Sequence, residues 1–135
     1  MDSTVVSVPV VDRMVLIAKH LRSYTFHWQH EIDLQKAVEK ALKDGPWKVK
    51  REHRLTPQDR VDFYVCDSDG GARIAVELKV QGAPTEVARQ IWRYASHVTV
   101  DGCLLVTTSQ RLATGLPDVM EGKPARSVVL SGSLL

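Results

Sequence analysis

Three ionisable residues in the middle of the chain have types and spacing that suit metal chemistry. Asp62 lies in Arg60-Val-Asp-Phe-Tyr-Val-Cys66, and Glu77 and Lys79 lie in Arg73-Ile-Ala-Val-Glu-Leu-Lys-Val80. Between the two runs stands Asp67-Ser-Asp-Gly-Gly71, a hairpin signal, because Asp-Gly supplies the positive φ angles that tight turns need. A two-residue turn at Asp69-Gly70 sets Asp62 directly opposite Glu77. A turn at Gly70-Gly71 sets it opposite Lys79 instead, and a three-residue loop scrambles the pattern. Facing carboxylates weaken a sheet by repulsion. A hard divalent cation between them removes that conflict, because Mg²⁺ sites are built from one or two carboxylates, water and substrate phosphate. Lys79 follows two residues after Glu77 on the same face, within reach of a water or phosphate held there. The competing reading is a solvated polar face with a lysine–aspartate ion pair.

The elements that must hold these residues follow from the hydrophobic pattern. Alternation puts Arg60, Asp62, Tyr64, Arg73, Ala75, Glu77 and Lys79 on one face of the hairpin. Val61, Phe63, Val65, Ile74, Val76, Leu78 and Val80 then share the other. Ahead of it, Trp47 to Arg54 alternates as a third strand. Pro9 opens a helix with Val11, Met14, Val15, Ala18 and Leu21 as its stripe. A second helix runs from about Gln29 to Lys43 on Leu34, Val38, Ala41 and Leu42, and Asp44-Gly-Pro46 ends it. After the hairpin come a helix from Pro84 to about His97, a buried strand from Gly102 to Thr108, a loop with a short helix over 110–126, and a last short strand from Ser127 to Leu130. The first eight residues read as an arm or edge strand. The order predicts an α/β fold, a central mixed sheet flanked by helices.

Composition bounds the function classes. At 135 residues, with 44% hydrophobic and 25% charged, the chain fits one globular domain. A formal net charge of +2 is too small by itself to imply a nucleic-acid partner. Cys66 and Cys103 are isolated from one another and from histidine clusters, so they read as reduced thiols rather than a zinc site or disulfide. The most apolar early run, Met14 to Ala18, is far short of the roughly 20 residues of a spanning helix. The expectation is a cytoplasmic chain without a membrane segment.

Asp62, fourteen intervening residues and then Glu77-x-Lys79 resembles the PD-(D/E)xK nuclease superfamily, with Val61 in place of the proline. Gln90-Ile-Trp-Arg-Tyr94 is similar to the QxxxY element of its RecB-type exonuclease branch, two residues that share one helical face. The resemblance implies a restriction-endonuclease-like αβββαβ core over about residues 29–108, preceded by an extra N-terminal helix, in a single domain over 1–135. It implies Mg²⁺ or Mn²⁺ held by Asp62, Glu77, the Leu78 carbonyl and, through water, Glu31 on the second helix. Glu39 and Glu52 are alternatives for that last acid, and a helix-start role is the alternative for Glu31. Catalysis would fall to Asp62, Glu77 and Lys79, with Gln90 and Tyr94 positioning water or phosphate.

The implied reaction is metal-assisted hydrolysis of DNA phosphodiesters, endo- or exonucleolytic, in repair, recombination or phage DNA processing. A catalytically silent DNA- or protein-binding module of the same fold is the second reading, and a small-molecule metal enzyme the third. Lys48, Lys50, Arg51 and Arg54 on the first strand, with Arg89 and Arg93 on the later helix, are the candidates for gripping phosphates. Lys123 and Arg126 mark a late loop. His27 and His30 suggest a separate metal site less well than they suggest loop or helix-start positions. The expected partners are DNA and a second copy of the chain or a larger DNA-processing complex, with the N-terminal arm and helix as the dimer surface.

Overall fold

The computed structural model describes residues 9–134, and the arm expected over residues 1–8 lies outside them. Four helices and eight strands follow in the order α1 (Val10–Arg22), β1 (Thr25–Trp28), α2 (Glu31–Lys43), β2 (Lys48–Arg54), β3 (Arg60–Cys66), β4 (Arg73–Lys79), α3 (Pro84–Ala95), β5 (Gly102–Thr107), α4 (Gln110–Thr114), β6 (Val119–Met120), β7 (Lys123–Val129) and β8 (Ser131–Leu134). The run α2–β2–β3–β4–α3–β5 is the expected αβββαβ core, and α1 is the extra N-terminal helix.

Six strands form one mixed sheet in the order β2-β3-β4-β5-β7-β6. β2, β3 and β4 are antiparallel neighbours, whereas β4, β5 and β7 run parallel. Helices cover both faces, as parallel strands require. Met14, Ile17 and Leu21 of α1 and Leu34, Val38 and Leu42 of α2 pack on Phe63, Val65, Ile74, Val76, Leu78, Leu104 and Val106. Val87, Ile91 and Tyr94 of α3 and Leu112 of α4 pack on Tyr64, Ala75, Cys103 and Leu105 on the opposite face. Every residue of β5 is buried, the mark of a strand covered on both sides. No helix among the described residues is long and apolar enough to cross a membrane.

Several boundaries differ from the sequence expectation. α2 begins at Glu31 rather than Gln29, because the His30 N–H donates to the Asp33 carboxylate three residues on and fixes the helix start there. The buried stripe of α1 is Met14, Ile17, Ala18 and Leu21, while Val15 is 49% exposed. The stripe is thus rotated from the one expected. Residues 123–126 are strand rather than loop, because β7 pairs along most of its length with β5. A small parallel pair, β1 with β8, joins segments about a hundred residues apart and has no local signal in the sequence.

Candidate active site

The β3–β4 hairpin has the register that a turn at Asp69-Gly70 sets, with Cys66 facing Arg73, Val65 facing Ile74 and Phe63 facing Val76. The loop itself is wider than a two-residue turn. The Gly70 N–H closes onto the Asp67 carbonyl at 2.9 Å, so Ser68 and Asp69 are the central turn residues, and Gly70 follows with φ at +83°. The Gly71 N–H is taken by the Asp69 carboxylate at 2.9 Å. Ladder pairing stops at Arg73 and Cys66, and residues 67–72 make up the loop.

At the opposite end of the hairpin, beyond Phe63 and Val76, side chains replace the backbone ladder. The Asp62 N–H donates to Glu77 Oε1 at 3.1 Å, and the Leu78 N–H donates to Asp62 Oδ2 at 2.8 Å. Each acid therefore binds the other strand where the two strands part. The geometry brings Asp62 and Glu77 together, as opposite neighbours, at the open edge of the sheet.

That opening coincides with a strained residue that the sequence did not announce. Glu52 on β2 has φ at +51°, a left-handed conformation that is rare for residues other than glycine. It stands opposite Asp62, the one step in β2–β3 where no ladder pair forms, although Arg51 still faces Phe63 and His53 still faces Val61. The strands turn over there. Arg51 points toward α2, bonding Glu39 at 2.9 Å and Gln35 at 3.2 Å, whereas His53 stacks on Tyr64 beneath α3, ring centroids 4.3 Å apart. Val61, assigned by alternation to the face of Phe63 and Val65, is buried with Tyr64 on the α3 side instead. Strict alternation fails because one left-handed residue reverses which side successive residues face.

Glu77 is only 4% exposed, and three further groups converge on it from the α3 side. Gln90 Nε2 donates to Glu77 Oε2 at 3.1 Å and to the Tyr94 hydroxyl at 2.7 Å. The Tyr94 hydroxyl lies 3.5 Å from Glu77 Oε2 and donates to the Arg60 carbonyl at 3.1 Å. Spacing by four on α3 puts Gln90 and Tyr94 on one face, as expected. Lys79 Nζ stands 3.7 Å from Glu77 Oε2, with its side chain 30% exposed toward solvent.

The electrostatics of this cluster are unfavourable without a cation. Burial, then the neighbouring Asp62 charge, pushes Glu77 up to about 8, against the pull of the Asp62 N–H and Lys79. Burial also raises Asp62, where the Leu78 N–H and Lys79 oppose the effect and Glu31 adds to it. Burial and the Glu77 charge raise the Tyr94 hydroxyl, so it stays protonated and able to donate.

Glu31 is the first residue of α2 and is exposed, not turned inward. Its charge reaches Asp62, but among the described residues no three His, Cys, Asp or Glu side chains come close enough to hold a metal ion by themselves. The observed contact of Leu78 in the cluster is made by its N–H. Glu39 is occupied by Lys43 and Arg51, away from the two acids, and Glu52 lies 3.6 Å from Arg60.

The basic residues divide. Lys48 and Lys50 are exposed on β2, the edge strand, and Arg89 is exposed on α3. Arg54 is exposed and donates to the Pro57 carbonyl. Arg51 is half-buried in its bonds to α2, and Arg93 is engaged by Asp59 at 3.2 Å. Lys123 donates to the His97 carbonyl and Arg126 to the Asp118 carbonyl, so both serve β7 and its neighbours. Sequence reading had no means of separating committed from uncommitted cations, since the partners lie far along the chain. His30 caps α2, and His27 lies on β1.

No protein-family model matches the chain, and no curated protein matches it. Among solved structures, it is similar to the small subunit (R.BspD6I2) of the heterodimeric restriction endonuclease R.BspD6I. The two share 13% identity over 89% of this chain and 70% of that one, with a TM-score of 0.44.

Proposed function

We propose that this chain is a divalent-metal-dependent DNA nuclease that hydrolyses phosphodiester bonds with an activated water. The observation that carries this reading is the interlocked pair of acids. Glu77 is buried and Asp62 half-buried beside it, each tied to the other strand by a backbone N–H. Such a pair is costly unless a cation offsets its charge.

The donor set fits Mg²⁺ or Mn²⁺. Both acids offer oxygens, and among the described residues no third His, Cys, Asp or Glu joins them, a donor set that suits an ion that keeps several waters and a substrate phosphate. Asp62 and Glu77 would hold the ion directly, the Leu78 carbonyl would add a neutral oxygen, and Glu31 would reach it through water. Mg²⁺ or Mn²⁺ supplies Lewis acidity, lowering the pKa of a water and offsetting charge on the phosphate.

The chain's own groups supply the geometry. The Leu78 N–H takes Oδ2 of Asp62, the oxygen that ties it to β4. Gln90 fixes Glu77 by donating to Oε2, and Tyr94, anchored on the Arg60 carbonyl, holds Gln90 in place by accepting from it, which makes both positioning residues. Lys79, close to Glu77 but partly solvated, is placed to steady the attacking oxygen or the phosphate. Lys48, Lys50, Arg54 and Arg89 present free or weakly committed positive charge for phosphates, without reading bases. The pathway proposed is repair, recombination or phage DNA processing, in the cytoplasm, with a second copy or a larger complex as partner.

Linear, circular, single-stranded and branched DNA incubated with Mg²⁺, Mn²⁺ or EDTA tests the reading. Metal-dependent breakdown that Asp62→Ala, Glu77→Ala and Lys79→Ala each abolish is the expected result. Cleavage unchanged in all three variants overturns it. DNA binding with no cutting in either metal assigns the chain to the silent module of the same fold.

A further inference from the structure

A cavity of about 480 Å³ opens beyond the C-terminal ends of the parallel strands β4 and β5, and its lining includes Glu31, the residue whose charge reaches Asp62. One wall is the link between β1 and α2, Trp28 to Glu31. The other is made by Val80 and Gln81 after β4 and by Thr108 after β5. Val80 follows Lys79 directly, and Thr108 follows Thr107, the ladder partner of Lys79. The strand ends that carry Lys79 and its ladder partner therefore both run into the cavity's lining.

Its lining is wrong for a phosphate and right for a flat heteroaromatic ring. Among the described residues no lysine or arginine lines it, and Glu31 in its lining repels anions. Trp28 packs on the first hydrophobic core and also lines the cavity. It thus offers an aromatic surface held in place from behind, and the Val80 side chain adds apolar surface. Gln29, Gln81 and the Thr108 hydroxyl offer both donors and acceptors, the groups that meet the edges of bases. The volume lies within the range of about 300–1,000 Å³ typical of small-molecule sites.

We infer that this cavity receives one unpaired base of the DNA strand whose phosphate lies on Asp62, Glu77 and Lys79. Trp28 stacks on the base, and the amides of Gln29 and Gln81 contact its edge. A base inside a duplex cannot enter, so the chain acts on single-stranded, frayed or flipped-out nucleotides. This inference rests on the phosphodiester reading of the acid pair and adds a substrate class to it.

The test is a binding measurement, so that it stands apart from cleavage. Short oligothymidylate and an all-abasic strand of equal length carry the same phosphates, and both are titrated onto the full chain in EDTA. The wild type is expected to bind oligothymidylate more tightly, by about fivefold to 150-fold, the range that one aromatic–base stack provides. Trp28→Ala should lose most of that preference and leave abasic binding unchanged, and Trp28→Phe should restore it. Trp28→Leu keeps the apolar contact with the core and loses the flat ring, and so covers the case in which the alanine variant does not fold. Equal binding of the two strands by the wild type overturns the inference, as does an equal loss on both strands in the Trp28 variants. Base-dependent binding without any metal-dependent cutting would refute the nuclease reading and leave the cavity's assignment standing. Cutting with base-independent binding would do the reverse.

Discussion

Replacing Glu77 with glutamine removes a carboxyl that burial beside Asp62 forces to take up a proton at a cost when no cation is present. The carboxyl has an ordinary value of 4.5 and is pushed up to about 8, chiefly by burial and then by Asp62. A carboxyl raised on folding favours the native state fully below its unfolded value. That stability is lost as pH rises through the folded value. For Glu77 the window runs from about pH 4.5 to about pH 8. At neutral pH the penalty is about 3 kcal/mol, since each pKa unit corresponds to about 1.4 kcal/mol. Glutamine keeps an acceptor for the Asp62 N–H but needs Gln90 to turn its amide over, which offsets part of the gain. In EDTA, Glu77→Gln should therefore melt at a temperature close to that of the wild type near pH 5. By about pH 8 it should melt roughly 5–10 °C higher, a shift equivalent to about 2 kcal/mol in a domain of this size. Thermal melts of both proteins across that range measure the gap. A gap that stays constant with pH, or that closes as pH rises, would refute the reasoning. It would mean that Glu77 is not forced to take up a proton beside Asp62.

Substitutions at three other positions separate the supports of the fold around the site. Glu52→Gly should be neutral or stabilise by up to about 1 kcal/mol, because glycine accepts a positive φ without strain. Glu52→Val should destabilise by about 1–2 kcal/mol in denaturant titrations, because a branched side chain resists that conformation. Tyr94→Phe leaves the Arg60 carbonyl and one Gln90 hydrogen without their partner, so it should cost about 1–3 kcal/mol in the same assay. It should also slow metal-dependent cleavage while leaving DNA affinity largely intact. Asp59 is held low first by its bond to His97 and then by Arg93, so its contribution is present above about pH 4 and lost as pH falls through its depressed value. Asp59→Asn should therefore lower stability near neutrality and remove part of the wild type's acid sensitivity in melts below about pH 4.

The hairpin that carries the two acids was legible from two local signals taken together. Alternation over Arg60 to Val80 allowed a turn at Asp69-Gly70 or at Gly70-Gly71, and the Asp-Gly pair favoured the first, which brings Asp62 to Glu77. The loop was misread by one step, since Asp67 begins the turn and its carbonyl accepts from Gly70. Val61 was placed on the wrong face, because Glu52 takes a left-handed conformation that no glutamate in a strand advertises. That Gln90 and Tyr94 share a helical face was legible from spacing by four, and the resemblance to the QxxxY element singled them out. The commitments of Arg51 to Glu39 and of Arg93 to Asp59 depend on elements that meet only after folding. The β1–β8 pair, the cavity beside Trp28 and the exposure of Glu31 were hidden for the same reason. Each depends on which segments lie next to one another in space, and a periodic pattern describes only the faces of one segment at a time.

The most direct measurement is a crystal of the full chain soaked in Mn²⁺, with anomalous scattering used to find the ion. The account predicts one Mn²⁺ bound by a carboxylate oxygen of Asp62 and one of Glu77, with water completing the shell and Glu31 no nearer than a water-mediated contact. An ion held at any other acidic group, with Asp62 and Glu77 left bonded only to the opposing strand, would contradict it.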